Sequence, residues 1–600
     1  MGVRNMIHVS DQYKEIMDRP VRNEGAVRIV FGVSDPDAPR NSTLSDNGHL
    51  YYSQLNSIDL GLTVTRTYET LERGRFVLSG KNLLAREPEK IMYQGFVSSI
   101  MSDDDGNFVG EKPTITIDFG SYYTKLSGLT LIFDDTMNNY VNDFTVNIYN
   151  NDALILTETH NPTSPRYISK NQIPEFNKME FIFNSTNIPH RRVRLHELVY
   201  GIVDTLTDRD ISDCSLTVSA DMFATELPTN RLDFTIFDVE NKYNPDNPDN
   251  LIQYLENGQS VKFFYGQYLD DESIEWIPMY TGYTTGEVSV SDSGFVKNIS
   301  IKSEALLSLL DTVYHGGTYL SSGISLYDLA NNLIDSVGYT GALNLSDDLR
   351  NITTRTLLNG KTIKEGLQLI ANAGGMSIYI DRNGVINIKD MMTKETPVID
   401  FNQHAMLQMP KSNRIPQLRN LSSTYYVPNI EGTASQLATT HIDNAVETEY
   451  LITFEEADGV TYSKTGSLTI VGEPVITASA MKVVCTGTGD ITINGKKITY
   501  KANTISKKIH EIGIDLEIKN PLVSDQNSLN IFMDKVIAYY ERRTDYTFEN
   551  RGYPHLDIGD TVTNTSNYEG DKTSTLYYNQ IKYNGSITGT SKTLEFNEVI

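Results

Sequence analysis

Apolar and polar residues alternate with a period of two along most of the chain. Turn-forming residues interrupt the alternation every ten positions or so, the pattern of short, half-buried strands. Between 91 and 202 the strands are TITIDFG (114–120), LTLIF (129–133), DFTVNIYN (143–150), KMEFIF (178–183) and RVRLHELVYGI (192–202), which predicts a β-sandwich. A second β-rich unit, 203–318, holds CSLTVSADM, RLDFTIFDV and the hairpin EVSVSDSGFVKNISIKS, and its EALLSLLDTV predicts a helix. Within it, KYNPDNPDNLIQYLENG predicts a hard corner at two Asn-Pro-Asp triplets, then a short buried helix capped by Asp249 or Asn250.

The period changes to 3.6 in a small α+β unit, 319–410. SLYDLANNLIDSVG starts at an Ser325 N-cap with Asp328 three on and stops at Gly338; TIKEGLQLIANAGG repeats the plan with Thr362, Glu365 and Gly374. A hairpin, SIYIDRNGVINIKD, follows with Asn383-Gly384 at its tip. The last unit, 411–600, returns to strands. It carries a β insertion at about 445–512, where ITINGKKITYKA predicts a hairpin on Asn494-Gly495, and a helix through SLNIFMDKVIAYYERR. The N-terminal segment, 1–90, opens with a short helix that Pro20 ends, then runs through AVRIVFGV (26–33) and LERGRFVLSGKNLL. The fold class is therefore mainly β with a small α+β part.

Composition narrows the function. At 600 residues the chain is long enough for about four domains, and 39% hydrophobic content suffices for packed cores. A net charge of −26 argues against a chain that grips nucleic acid, which needs cations to replace phosphate counterions. It suits equally a soluble acidic protein or a surface that DNA passes without adhering. Two cysteines, Cys214 and Cys485, make neither a disulfide framework nor a metal spacing, and the polar start lacks a signal-peptide core. Assembly in a reducing cytosol is the expectation.

The candidate chemistry mostly dissolves on inspection. His196-Glu197 lacks the second histidine of a zinc helix, since Tyr200 stands in its place, and the stretch alternates as a strand. SDDDGNFVGE (102–111) lacks the ligand spacing of a calcium loop and predicts a solvated hairpin tip; FDDTMNNYVNDF (133–144) offers oxygens but no assigned site. VVCTGTGDITING fails the spacing of a dinucleotide loop. No catalytic residue, cofactor or metal site is assigned.

DVENKYNPDNPDNLIQYLENGQSVKFFYG followed by EWIPMYTGYTTGEVSVSDSGFVKNISIKS resembles the first barrel of phage tail hub (baseplate hub, tail-tip) proteins from phages and prophages of Gram-positive bacteria. The two capped helices with their hairpin are similar to the α+β domain between barrels in that family. YPHLDIGDTV with YYNQIKYNGSITGT resembles its closing second barrel, and HVSDQYKEIMDRPVRN its N-terminus. ITIDFGSYYTKLSGLTLIFDD, DFTVNIYN and IPHRRVRLHELVYG resemble an inserted galactose-binding-like jelly roll, including the Arg191, Arg192, Arg194 and Glu197 pattern of its last strand.

The resemblance implies two hub-type β-barrels, an inserted β-sandwich and a helix-hairpin domain. It implies a homotrimer whose six barrels join a hexameric tail tube or distal tail protein above to a tip, tape measure or receptor-binding proteins below. DNA would be only in transit through the lumen, and the place of action would be the virion tail, assembled in the bacterial cytoplasm. A jelly roll of this kind binds sugars on loop aromatics, which makes Tyr122, Tyr123 and Tyr140 the candidate platform for a host surface glycan. The alternative function is thus a carbohydrate-binding tail adhesin. Cell-wall hydrolysis is least expected, because family members with that activity carry a lytic domain behind the hub part, and LEFNEVI closes this sequence soon after the second barrel.

Overall fold

The computed structural model describes all residues except 1–6, 8, 35–37, 60–71, 73–94, 127, 135–136, 170, 239–257, 272, 293–296, 316, 338, 340–342, 543, 567–569 and 597–600. The Asn-Pro-Asp corner, the apolar stretch after it and LERGRFVLSGKNLL (all but Glu72) lie outside the described residues.

The protein is mainly β, with few helices, as the alternation predicts. Its largest element is a 13-stranded sheet. One half runs in the order Gly201–Thr207, Gly25–Ser34, Ser260–Tyr268, Ile274–Asp292, Lys297–Glu304, Thr229–Asp238, Ile211–Ser219. The other half continues with Gly570–Tyr583, Ile587–Glu595, Thr544–Asn550 and Lys411–Arg414; Thr561–Ser566 branches off Gly570–Tyr583 and pairs in parallel with Asp400–Phe401. The halves meet strand to strand, from Cys214 opposite Tyr583 to Ser219 opposite Tyr578. Alternating residues such as Leu232, Phe234 and Ile236 enter one hydrophobic core that extends from the N-terminal helix through both halves and the α+β unit.

The sandwich has its own core. A five-stranded sheet (Thr43–Asp46, Thr114–Asp118, Lys178–Thr186, Val141–Asn150, Ala153–His160) faces a four-stranded one (Phe96–Met101, Arg192–Val199, Leu129–Phe133, Arg166–Ser169). Phe144, Phe181, Phe183 and Phe133 fill the space between them. All ladders in it are antiparallel, which permits one wet and one dry face per strand. RVRLHELVYGI, expected as one strand, is two. Arg192–Val199 belongs to the sandwich and Gly201–Thr207 to the large sheet, so this break carries the chain from one core to the other. Arg194 is buried in this sandwich strand. Its Nη2 lies 2.6 Å from Glu72 and its Nε 4.0 Å from Asp134, and all three side chains are at most 4% exposed.

Both capped helices form where the spacing predicts them. Leu326–Asp335 begins at Ser325, whose side chain accepts from the Asp328 N–H. Ile363–Ala373 begins at a complete capping box: the Glu365 N–H donates to Thr362 Oγ1 (3.3 Å) and the Thr362 N–H to Glu365 Oε2 (3.1 Å). A methyl on Gly366 would sit 3.0 Å from Leu333, so glycine lets the two helices approach. The hairpin Ser377–Ile380/Ile386–Lys389 turns at Gly384, φ +80°. The third predicted helix spans Gln526–Tyr540 and buries Leu529, Phe532, Met533 and Val536.

Two further expectations are corrected. EALLSLLDTV makes only a 3-10 turn, Leu306–Leu309, because Val313–His315 is drawn into pairing with Asn359–Thr362. Asn494-Gly495 does not turn at all: it lies within one 29-residue strand, Ala480–Lys508. Asn494 pairs with Gln436 on one side and Thr461 on the other, so two ladders outweigh the local turn preference. That strand is the spine of an arm. It carries Ser435–Thr453 along one side, Ala457–Lys464 and Thr469–Ile476 along the other, and Leu418–Ile430 beyond, with a small core of its own around Ile442, Met481 and Ile491. The arm is anchored at its base: Thr477 Oγ1 and Ser479 Oγ donate to the His315 carbonyl (2.7 and 2.8 Å) and the Ala478 N–H to Gly317.

Candidate assembly surfaces

The three tyrosines of the sugar reading are not brought together. Tyr122 and Tyr123 lie at the end of the sandwich where strand Val141–Asn150 finishes, and the Tyr123 hydroxyl donates to Asn151 Oδ1 (2.5 Å). Tyr140 lies before the first residue of the same strand, and its N–H donates to Asn187 (2.9 Å). An extended strand of 10 residues separates them by on the order of 30 Å, so they cannot share one ligand. Tyr123 is 40% exposed, while Tyr122 and Tyr140 pack against the sandwich core.

His196 and Glu197 lie in a strand and are largely buried. Asp103 holds a local turn, accepting from the Asp105 and Asn107 N–H groups (2.9 and 2.8 Å). Cys214 and Cys485 are buried free thiols, and burial raises the pKa of both. Among the described residues no cluster of three or more His, Cys, Asp or Glu is placed to hold a metal, and no helix is long and apolar enough to cross a membrane.

The structure does single out a junction that sequence reasoning missed. Arg382, in the turn of the α+β hairpin, is 8% exposed. Its guanidinium donates to the Pro278 carbonyl (3.2 Å) in the first half of the large sheet. It also donates to the carbonyls of Pro554 and Leu556, in the loop between Thr544–Asn550 and Thr561–Ser566 of the second half, with Asp557 3.7 Å away. One side chain thus ties three parts of the chain together. Beside it, an N-terminal strap spans the same seam. Ser10 donates through both N–H and Oγ to the Glu275 carboxylate, and Tyr13, Ile16 and Met17 are buried. Arg22 donates to the carbonyls of Arg551 (2.6 Å) and Gly552 (2.8 Å), while Arg551 donates back to those of Arg19 and Pro20.

His555 sits inside this junction, edge-on to Tyr13 at 5.6 Å. Burial, with the charges of Arg382, Lys14 and Arg22, depresses its pKa to about 3. In the unfolded chain it takes a proton near pH 6.5, in the folded chain not until about 3, so stability is lost as pH falls through that window. His555→Gln removes this dependence. The stability gap between wild type and variant should narrow by about 2 kcal/mol from pH 7.5 to pH 5, read by urea unfolding at both.

Two exposed strand edges stand out among the described residues. The large sheet ends at Lys411–Arg414, a strand exposed at every residue, preceded by Leu407 (54% exposed) and Met409 (53%). The arm offers the outer edge of Ser435–Thr453, 19 residues long, unpaired among the described residues. Its exposed apolar residues include Val446, Leu451 and Val475. Charged residues along this edge (Asp443, Glu447, Glu449) and a register shift between Asn444 and Thr448 discourage indiscriminate pairing.

No family model matches the sequence, and neither does any curated protein. Among solved structures the chain is similar to the tail protein from Neisseria meningitidis MC58, at 12% identity and a TM-score of 0.38 over 64% of this chain and 92% of that one. It is also similar to the 43 kDa tail protein of prophage MuSo2 from Shewanella oneidensis (11%, 0.39, 65% and 95%). A third is the prophage tail protein gp18 from Listeria monocytogenes EGD-e (9%, 0.34, 66% and 92%).

Proposed function

We propose that this chain is a structural protein of a phage tail, a hub of which three copies close a ring between the tail tube and the tip. The observation that carries the reading is the seam. Two β-rich halves on either side of the helical spacer are fused through Cys214–Ser219 and Tyr578–Tyr583, share one core with that spacer, and are locked by Arg382. A part that passes load between tube and tip needs its β-units held at a fixed angle, and this seam supplies that without a moving site. The order of motifs along the sequence supports the family, with the sandwich as a galactose-binding-like insertion. The net charge of −26 suits a channel wall that repels DNA in transit. Partners would be a tube or distal tail protein on one side and tip, tape measure or receptor-binding proteins on the other. The protein would assemble in the bacterial cytoplasm and act on the virion, with no catalytic role.

Mass photometry of the full chain should give three copies per particle, and antibody labelling should mark the tail tip of the virion. A monomer at micromolar concentration that no tail incorporates would refute the hub. The adhesin reading keeps only the Tyr122–Tyr123 end of the sandwich, and a glycan array that the full chain leaves blank removes it.

A further inference from the structure

Where the N-terminal strap crosses the end of the second half, it roofs a cavity of about 380 Å³. Arg22 and Arg551 both line it. Their hydrogen bonds go to main-chain carbonyls, and neither pairs with a carboxylate among the described residues. The Arg22 guanidinium is also stacked over the Tyr553 ring at 4.7 Å, and its Nη2 is buried there with no hydrogen-bond partner. The two guanidiniums thus add positive charge to the lining with no carboxylate paired to either among the described residues. Glu24 supplies the lining's one carboxylate, so the lining as a whole carries a net positive charge. The remaining wall is mixed: Leu407 and Ile587 are aliphatic, and Thr588 adds a hydroxyl.

We propose that this cavity binds a carboxylate carried on a short aliphatic stem. A guanidinium presents parallel N–H groups that match a planar carboxylate, and a cation pair in a partly dry pocket holds an anion far better than one on an open surface. The aliphatic stem would lie on Leu407 and Ile587 while the head reaches the arginines. Leu407 is 54% exposed and stands at the rim, so the ligand enters past it. Two sources present this chemistry: a free dicarboxylate, or the acidic side chain of a polypeptide that docks on this end of the protein. The proposal does not rest on the hub reading and stands or falls apart from it.

The test is calorimetric titration of the full-length chain with glutarate, with a blocked tripeptide centred on glutamate, and with inorganic phosphate. Saturable binding of glutarate is expected, at least tenfold weaker in Arg551→Gln and in Leu407→Asp. Arg551→Gln also loosens the strap, whereas Leu407→Asp alters only an exposed rim position and keeps the test valid if the first variant misfolds. Tighter binding of the peptide assigns the site to a docking polypeptide; tighter binding of glutarate assigns it to a solute. Phosphate binding as tightly as glutarate would overturn the aliphatic stem. Silence with both carboxylates, or wild-type binding by Leu407→Asp, would overturn the site.

Discussion

Arg382→Ala should cost on the order of 4 kcal/mol or more and uncouple the two halves of the large sheet. The substitution strands the carbonyls of Pro278, Pro554 and Leu556, each of which loses a charged donor in a place water reaches poorly. A buried acceptor left bare costs about 1–3 kcal/mol, so the three together exceed what a typical side chain contributes. The expected calorimetric trace has two separated transitions in place of one, with protease cutting gained near residue 554. Arg382→Lys, which keeps a charge but cannot fork to three acceptors, should recover less than half of the loss. A single transition within a degree of wild type would show that the strand pairing at Cys214–Ser219 alone holds the seam.

The second large effect lies in the sandwich. Arg194→Met is expected to cost about 3–5 kcal/mol, since it removes the cation that lies 2.6 Å from buried Glu72 and 4.0 Å from buried Asp134. Burial by itself pulls the Arg194 pKa down, but Glu72, Tyr52 and Asp134 outweigh it, and the net shift is upward. The charge is therefore held firmly. The double variant Arg194→Met/Glu72→Leu should regain most of the loss, because a well-packed apolar replacement avoids the desolvation of the pair. Urea unfolding of the four proteins closes the cycle; a double variant no better than the single one would mean that Asp134, not Glu72, is the partner that matters.

Local signals in the sequence held where the physics is local. Thr362 with Glu365 and Ser325 with Asp328 are complete within four residues, so nothing distant was needed to place those helices. Asn383-Gly384 turned because both flanking strands are short and pair with each other. Asn494-Gly495 has the same chemistry and ran straight, since its neighbours at Gln436 and Thr461 come from elsewhere in the chain. Arg382 looked like one more polar hairpin residue, and only the arrival of Pro278 and Pro554 made it a lock. Tyr123 and Tyr140 part for a related reason: they are close in sequence but sit at opposite ends of the strand Val141–Asn150.

The strap has a consequence for how the protein is made. Residues 10–22 leave the ribosome well over 500 residues ahead of their partners around Gly552, as Arg22 and Arg551 are 529 apart and Arg551 and Arg19 are 532 apart. At roughly 5–20 residues per second, Tyr13, Ile16 and Met17 wait about half a minute to two minutes for the surface that covers them. Through that interval the nascent chain carries an amphipathic helix that has only its first-half contacts, such as Ser10 with Glu275, and whose second-half side stays uncovered. Its yield in the cell should therefore depend on trigger-factor-type holdases far more than that of a chain whose first helix folds against its next neighbour.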